Sequence, residues 1–191
     1  MESRNALGII ELSSIYKGYE VQDAVLKTAN VEKLVARTIC SGKFFIIVRG
    51  DVADVETAVD VAKEVGSFAI VNATTIPNVD QRVFPAIAGC AILEKQNGEQ
   101  KNIGALLIIE TFSVVSAIKA ADFAAKEAEL DLLRVHVAMA VGGKGFVVIT
   151  GDISALEAAV KPAVDYCSQD GMLAGYAIIK NPHEDVLKEL I

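Results

Sequence analysis

Short apolar runs alternate with stretches of helical periodicity in the first half of the chain. Residues 6–12 form a short apolar run that predicts a buried strand, and further strands are predicted over residues 33–39, 44–48 and 68–71. Between them, apolar residues at helical spacing predict two helices, over residues 14–29 and 51–66. Gly50 and Asp51 mark the start of the second helix, and Gly66 marks its end. The order β-α-β-β-α-β is that of a ferredoxin-like unit of the α/β class, an α+β sandwich in which two helices cover one face of an antiparallel sheet.

The same order of elements returns in the second half of the chain. Ten of the 32 residues at positions 6–37 are identical to those 99 positions later, and eight of the 18 at positions 42–59 are identical to those 101 positions later. This agreement indicates a tandem duplication. The elements predicted for the second copy cover residues 103–110, 113–129, 132–139, 146–150, 154–169 and 172–179. We therefore expect two tandem domains, residues 1–96 and 97–191.

Composition and charge narrow the classes of function. The chain has 191 residues, of which 52% are hydrophobic, but it has no run of eighteen apolar residues that would predict a membrane helix. A net charge of −7 argues against binding nucleic acid through its phosphates, and the N-terminus lacks a signal-peptide pattern. Three cysteines, Cys40, Cys90 and Cys167, cannot all pair within one chain, which favours a reducing cytoplasmic setting. The high apolar content predicts that some surface is buried against other subunits.

The polar residues do not form the pattern of an enzyme site. Only two histidines occur, His136 and His183, and they lie too far apart in sequence for a triad or a histidine metal site. The segment Gly142-Gly143-Lys144 lacks the spacing of a phosphate-binding loop and predicts a tight turn. Glu11 and Glu110 end apolar strands at equivalent positions of the two copies, which favours a structural role. We expect a protein that is not an enzyme.

Several segments resemble the shell-protein domain of bacterial microcompartments: Leu7-Gly8-Ile9-Ile10-Glu11 and residues 23–31, 47–52 and 181–186. The likeness recurs in the second copy and covers nearly the whole chain. Residues 38–44 and 134–138 are similar to the tandem-domain shell proteins of propanediol-utilising compartments. The resemblance implies a structural protein of the microcompartment shell, within the cytoplasm. It also implies a homotrimer that forms a pseudohexamer and tiles with other shell proteins.

In this family the loop between the second and third strands lines a central pore. By the resemblance, that loop covers residues 38–43 in the first copy and residues 138–144 in the second. The pore-lining residues that the resemblance implies are Thr38, Ile39, Ser41, Gly42, Lys43, Met139, Val141, Gly142 and Gly143.

Cys40 is the candidate metal ligand. A lone cysteine in a strand is usually a small packing residue, and Cys90 and Cys167 are best explained in that way. Cys40, however, stands beside Ser41-Gly42-Lys43 at a strand tip, where core packing ends. A threefold axis would bring three such thiolates together, and soft thiolates suit an iron–sulfur cluster.

The resemblance implies one [4Fe-4S] cluster per trimer, held by one Cys40 from each chain. We hypothesise that the cluster moves electrons across the shell to redox enzymes or cofactors inside, or is itself handled there. The second copy has Met139 or Val141 at the matching position, depending on where its insertion falls, so only three protein ligands are expected.

Two lysines are candidates for contacts between tiles. Lys27 and Lys126 match the lysine that the family places at the edges between neighbouring hexagons. The sequence alone favours an ordinary solvated lysine on a helix, and the edge contact is what the resemblance implies. The family often has an arginine where this chain has Asn181, with Asn78 at the comparable place in the first copy. The resemblance therefore implies the formation of a trimer more directly than it implies the way in which trimers pack edge to edge.

Two alternative functions fit the same residues. In the first, the shell trimer has an open, cluster-free pore that passes a small polar metabolite. In the second, the chain is a ferredoxin-like regulatory module that binds a small effector between subunits. A measurement of iron content distinguishes the cluster-free trimer from a trimer that carries a cluster. A measurement of oligomeric state distinguishes the regulatory module from either trimer. None of these functions involves nucleic acid or a membrane.

Overall fold

The computed structural model describes residues 4–88, 103–137 and 142–190. The chain divides into two compact units, Met1–Val79 and Asp80–Ile191. Each unit contains a four-stranded antiparallel sheet with helices packed on it, which confirms the predicted pair of ferredoxin-like α+β domains. The predicted boundary between residues 96 and 97 lies outside the described residues.

The first unit folds as β-α-β-β-α-β. Its strands are β1 (Ala6–Leu12), β2 (Glu32–Ile39), β3 (Lys43–Gly50) and β4 (Ile70–Ile76). Its helices are α1 (Ile15–Thr28) and α2 (Val52–Gly66). The strand order is β2-β3-β1-β4, so β2 lies at an edge of the sheet. The last strand starts at Ile70, later than predicted, because a 3-10 turn occupies Ser67–Ala69.

The second unit repeats this order and adds a short helix at each end. The added helices, α3 (Val83–Ala88) and α6 (Glu184–Leu190), do not follow from the hydrophobic pattern. The repeated elements are β5 (Ala105–Thr111), α4 (Val114–Glu127), β6 (Asp131–Val137), β7 (Gly145–Gly151), α5 (Ile153–Gln169) and β8 (Leu173–Ile179). The strand order is β6-β7-β5-β8, so β6 is the edge strand that corresponds to β2.

Strand pairing shows that the two repeats are equivalent residue by residue. In both units the first strand pairs with the third along its whole length, and the edge strand has a register shift after its second residue. Residues of α1 and β2 therefore correspond to those of α4 and β6 that lie 99 positions later. In the last strands, Ile76 pairs with Leu7 and Ile179 pairs with Leu106, so β4 corresponds to β8 at a distance of 103 positions.

The core of the first unit lies between its sheet and its two helices. The strands and helices contribute Ile10, Ile46, Val48, Val21, Val25, Ala58 and Ala62, all with no exposed surface. Burial of each large aliphatic side chain stabilises the fold by about 1.5–3 kcal/mol. This layer fixes the ends of the strands, and with them the turns between the strands.

A glycine of α1 makes room for an aromatic ring of β3. A Cβ atom added to Gly18 would overlap the ring of Phe44. The second unit has Ala117 and Gly145 at the corresponding positions, and a Cβ atom added to Gly145 would lie 2.7 Å from the Cβ atom of Ala117. In the first unit the helix therefore carries the glycine and the strand the larger side chain, and in the second unit the strand carries the glycine.

Gly18→Ala is expected to lower the free energy of unfolding by about 1–3 kcal/mol, because the new methyl group overlaps the buried Phe44 ring. Urea unfolding followed by circular dichroism measures this change. The control is the double variant Gly18→Ala with Phe44→Leu, in which the smaller side chain accommodates the methyl group. Its loss is expected to be smaller than the sum of the two single losses, and additive losses would contradict the contact.

Candidate functional site

The turn between β2 and β3 presents Cys40 where the core of the first unit ends. β2 ends at Ile39, whose side chain is 7% exposed. Cys40 then begins a 3-10 turn that ends at Gly42. Cys40 is exposed. The thiol therefore lies at the tip of a strand and outside the core.

Gly42 closes this turn in a conformation that favours glycine. Its φ angle is +71°, in the left-handed region, and an added Cβ atom would have no other atom within 4 Å. The requirement for glycine is therefore one of backbone conformation and not of space. In the second unit Gly142 and Gly143 have φ angles of 63° and 89° just before β7. This agrees with the tight turn predicted for that segment.

The other residues predicted to line a pore lie in different surroundings. Thr38 is exposed and Lys43 is partly exposed, whereas Ile39 belongs to the core. The backbone of Ser41 forms the middle of the 3-10 turn. Two predicted residues of the second copy, Met139 and Val141, lie outside the described residues.

An ion pair holds the lysine next to the turn in each unit. Lys43 Nζ lies 2.8 Å from Glu11 Oε1, and Lys144 Nζ lies 3.0 Å from Glu110 Oε1. The glutamate lies on a central strand and the lysine lies at or just before the start of the neighbouring strand, so the pair ties the turn to the middle of the sheet. Each pair is partly exposed and adds about 0–1 kcal/mol to stability. The geometry agrees with the structural role expected for both glutamates.

Cys167 differs from Cys40 in its surroundings. It lies on α5 with no exposed surface, and its Sγ atom lies 3.7 Å from the carbonyl oxygen of Ser116. Burial, with a smaller effect of the Asp170 carboxylate, raises the pKa of the Cys167 thiol to about 11. Cys167 is therefore a packing residue, as the sequence predicted. Cys90 lies outside the described residues.

Within the described ranges, no group of three or more histidine, cysteine, aspartate or glutamate residues is arranged to hold a metal ion. His136 lies on β6, where its ring stacks on that of Phe146 with 4.6 Å between centroids. His183 is exposed, and its Nδ1 atom lies 3.5 Å from a carboxylate oxygen of Asp185. Neither histidine belongs to a group of this kind, and a metal at Cys40 would need ligands from outside the described residues of one chain.

The two lysines expected at tile edges pair with aspartates one helical turn earlier. Lys27 Nζ lies 2.6 Å from Asp23 Oδ2, and Lys126 Nζ lies 2.7 Å from Asp122 Oδ2. The side chain of Asp23 is 63% exposed, but that of Asp122 is only 8% exposed. Asp122 is covered because its Oδ1 atom accepts a hydrogen bond, 2.8 Å long, from the main-chain N–H of Asp80.

Arg82 anchors the segment that covers Asp122. Its guanidinium donates to both carboxylate oxygens of Asp80 at 2.9 Å, and this holds the pKa of Asp80 below its usual value. It also donates to three main-chain carbonyls near the end of α4, those of Ala125, Ala128 and Leu130. A cation is favourable at this place because the last carbonyls of a helix lack partners within the helix.

Sequence reasoning missed this anchor because Asp80 and Arg82 contact residues more than forty positions away. The available signal was a charged pair, Asp80 and Arg82, directly before the apolar run 83–88.

The fold and its duplication match a known family. The family model described as the BMC domain matches the chain twice, over residues 6–79 and 105–182. The chain therefore belongs to the BMC-domain family of bacterial microcompartment shell proteins. The microcompartment shell protein PduT of Citrobacter freundii is 39% identical over 186 residues, which cover 97% of each chain.

Two further comparisons agree. The shell protein PduA of Salmonella typhimurium is 34% identical over 87 residues, which cover 93% of PduA but only 43% of this chain. The crystal structure of a microcompartment protein from Desulfitobacterium hafniense superimposes with a TM-score of 0.90 at 38% identity, and the match covers 96% of this chain and 98% of that one. The chain is thus a shell protein similar to PduT, in a structural and not an enzymatic family.

The helices of the described segments include none with the length and apolar character needed to cross a membrane.

Cys40 is expected to react with iodoacetamide at pH 8 about 100-fold faster than Cys167 in chelator-treated protein, because the thiolate is the reactive form and burial keeps Cys167 protonated. Peptide mass spectrometry follows each cysteine separately. In concentrated urea both cysteines are solvated, and their rates are expected to converge. Equal rates in the folded protein would contradict the burial of Cys167.

Proposed function

We propose that three copies of this chain form a pseudohexameric tile of the microcompartment shell. We further propose that the central pore of the tile holds a [4Fe-4S] cluster through three Cys40 thiolates, for electron transfer across the shell. The observation that carries the proposal is the exposed cysteine at the tip of the β2–β3 turn in a duplicated shell domain.

The duplication supports a trimer. Three chains that each contain two similar domains can close into a ring of six near-equivalent units. PduA, by comparison, corresponds to less than half of this chain. Five aromatic side chains are more than half exposed and supply apolar contact surface: Tyr16, Tyr19, Phe68, Phe112 and Tyr176.

The residues of the turn fit a shared cluster. Cys40 offers a soft sulfur ligand at an exposed tip. No other group of metal-ligating residues competes for iron in the described part of the chain. One cysteine per chain gives three protein ligands in a trimer, which leaves one iron of a four-iron cluster for a non-protein ligand. A cluster bound there would supply one-electron transfer between the two sides of the shell.

The neighbours of Cys40 restrict where the thiol lies. Ile39 anchors the end of β2 in the core, and Gly42 reverses the chain within three residues. The ion pair between Lys43 and Glu11 ties the start of β3 to the central strand. The turn is therefore pre-organised, so that a ligand bound by the thiol needs little further ordering of the chain.

The partners that follow from this proposal are other shell proteins at the tile edges and redox enzymes enclosed by the shell. Lys27 and Lys126 are the candidates for edge contacts. Lys27 is the more accessible of the two, with a side chain that is 73% exposed, against 45% for Lys126.

Cys40→Ser is expected to remove the cluster. Anaerobically reconstituted wild-type protein should contain about four iron and four sulfide ions per three chains, and the variant about none, because a serine hydroxyl is a harder and weaker ligand for iron than a thiolate. Iron and sulfide assays, with electron paramagnetic resonance of the reduced protein, measure the difference.

The matched control is Cys167→Ala, which is expected to keep the cluster because Cys167 is buried in the second unit. A full cluster signal in Cys40→Ser would remove Cys40 from the role. An iron-free wild-type trimer after reconstitution would instead favour the open pore. A wild-type monomer or dimer in sedimentation would favour the effector-binding module.

A further inference from the structure

The lysine at the start of β3 lies beside the turn that carries Cys40. Strand pairing places Lys43 opposite Ile39, the residue directly before Cys40. Residues that face each other across two antiparallel strands have Cα atoms about 4.5–5.5 Å apart. The positive charge of Lys43 is therefore close enough to act on a charged group that the Cys40 thiol holds.

Glu11 holds this charge towards the middle of the sheet. Its Oε1 atom lies 2.8 Å from Lys43 Nζ. Glu11 pairs with Phe45, two positions beyond Lys43 on β3, so the ion pair is a diagonal contact on one face of the sheet. The side chain of Glu11 is 22% exposed, whereas that of its counterpart Glu110 is 47% exposed. Water and salt therefore screen the pair next to Cys40 less than they screen its duplicate.

The second repeat fixes its lysine by two contacts and the first repeat by one. Lys144 pairs with Glu110 and also lies over the ring of Phe112, with 5.5 Å from Nζ to the ring centroid. Phe112 directly follows β5, and Ser13, which directly follows β1, occupies the corresponding position without a ring. Within the described residues, the position of Lys43 therefore depends on its carboxylate partner.

We propose that Glu11 is a positioning residue, which sets the net charge beside Cys40 through its ion pair with Lys43 and thereby sets the reduction potential of a cluster bound there. The inference rests on the proposed function, because only a trimer brings three such pairs to one cluster. While each pair is intact, its two charges nearly cancel. A one-electron reduction adds one negative charge to the cluster. An uncompensated lysine therefore favours the reduced form, and an uncompensated glutamate favours the oxidised form.

Glu11→Gln tests the inference, because it removes the carboxylate charge and keeps the size of the side chain. The equilibrium constant for one-electron reduction is expected to rise about tenfold, which corresponds to about 59 mV in the midpoint potential. Lys43→Gln leaves the glutamate uncompensated and is expected to lower the potential by a similar amount. The double variant carries neither charge and is expected to return close to the wild-type potential. Anaerobic redox titration followed by electron paramagnetic resonance measures each potential in reconstituted protein.

The matched control is Glu32→Gln, which removes a carboxylate from the same sheet. Glu32 also lies near a basic residue of β3, with 3.7 Å between its Oε2 atom and Arg49 Nε. It lies at the opposite end of β2 from Cys40. β2 has eight residues, and at about 3.3 Å per residue its ends lie about 23 Å apart. This distance exceeds the Debye length of about 8 Å in physiological salt, so the control is expected to leave the potential unchanged.

Acetylation of lysines in cluster-free protein tests the ion pair independently of any metal. In Glu11→Gln, Lys43 is expected to react with acetic anhydride about threefold faster than in wild type, because the carboxylate no longer holds its ammonium group. Lys144 is the internal reference and is expected to keep its rate. Peptide mass spectrometry follows both lysines.

The outcomes separate this inference from the proposed function. An unchanged acetylation rate of Lys43 would overturn the inference. Potential shifts of the same sign in the two single variants would also overturn it, as would a shift in Glu11→Gln no larger than that in Glu32→Gln. In those cases a wild-type trimer that binds iron through Cys40 leaves the proposed function standing. A wild-type protein that stays iron-free after reconstitution would overturn both.

Discussion

Each half of this molecule is organised around a small antiparallel sheet, and the two halves differ in how one edge of that sheet, at β2 or β6, is covered. β2 and β6 are edge strands, and each pairs within its sheet along one side only. In the second unit α3 packs along β6, and Arg82 donates to carbonyls near the end of the adjacent helix. In the first unit the corresponding surface is more exposed, since Leu26 is 40% exposed and its counterpart Ala125 is 1% exposed. The two repeats thus share a sheet but differ in whether a helix of the same unit covers this edge strand.

The turn after each edge strand depends on the same sheet. Strand pairing fixes the last residue of β2, the buried Ile39, and the next residue is therefore presented at the tip. Backbone conformation then restricts the turn further, because Gly42, Gly142 and Gly143 all have positive φ angles. The identity of the side chain at the tip is not restricted by the core. Duplication could therefore place a cysteine in one copy without disturbing the packing of either.

The sequence predicted the fold well because the duplication shows the same pattern twice. The apolar runs of β1 and β5, the helix end at Gly66 and the turn after Ile39 are all local features, and local features are visible in a sequence. α3 and α6 were missed because a helix of six or seven residues has no stable periodicity of its own and forms through tertiary contacts. The anchor of Arg82 was missed for a related reason, since its partners are distant in sequence. Cys40 lies exposed at the end of β2, but the ligand role proposed for it depends on other chains and therefore on contacts that one chain does not contain.

The covalent link between the two repeats bears on the chemistry proposed for the pore. In a ring of six identical domains, every residue at the pore would occur six times, and six thiolates exceed the iron sites of a four-iron cluster. In the proposed trimer the two repeats would alternate around the axis, so that Cys40 would occur at every second position. Three thiolates would then leave one iron without a protein ligand, and that coordination requires a chain in which the two repeats have become different.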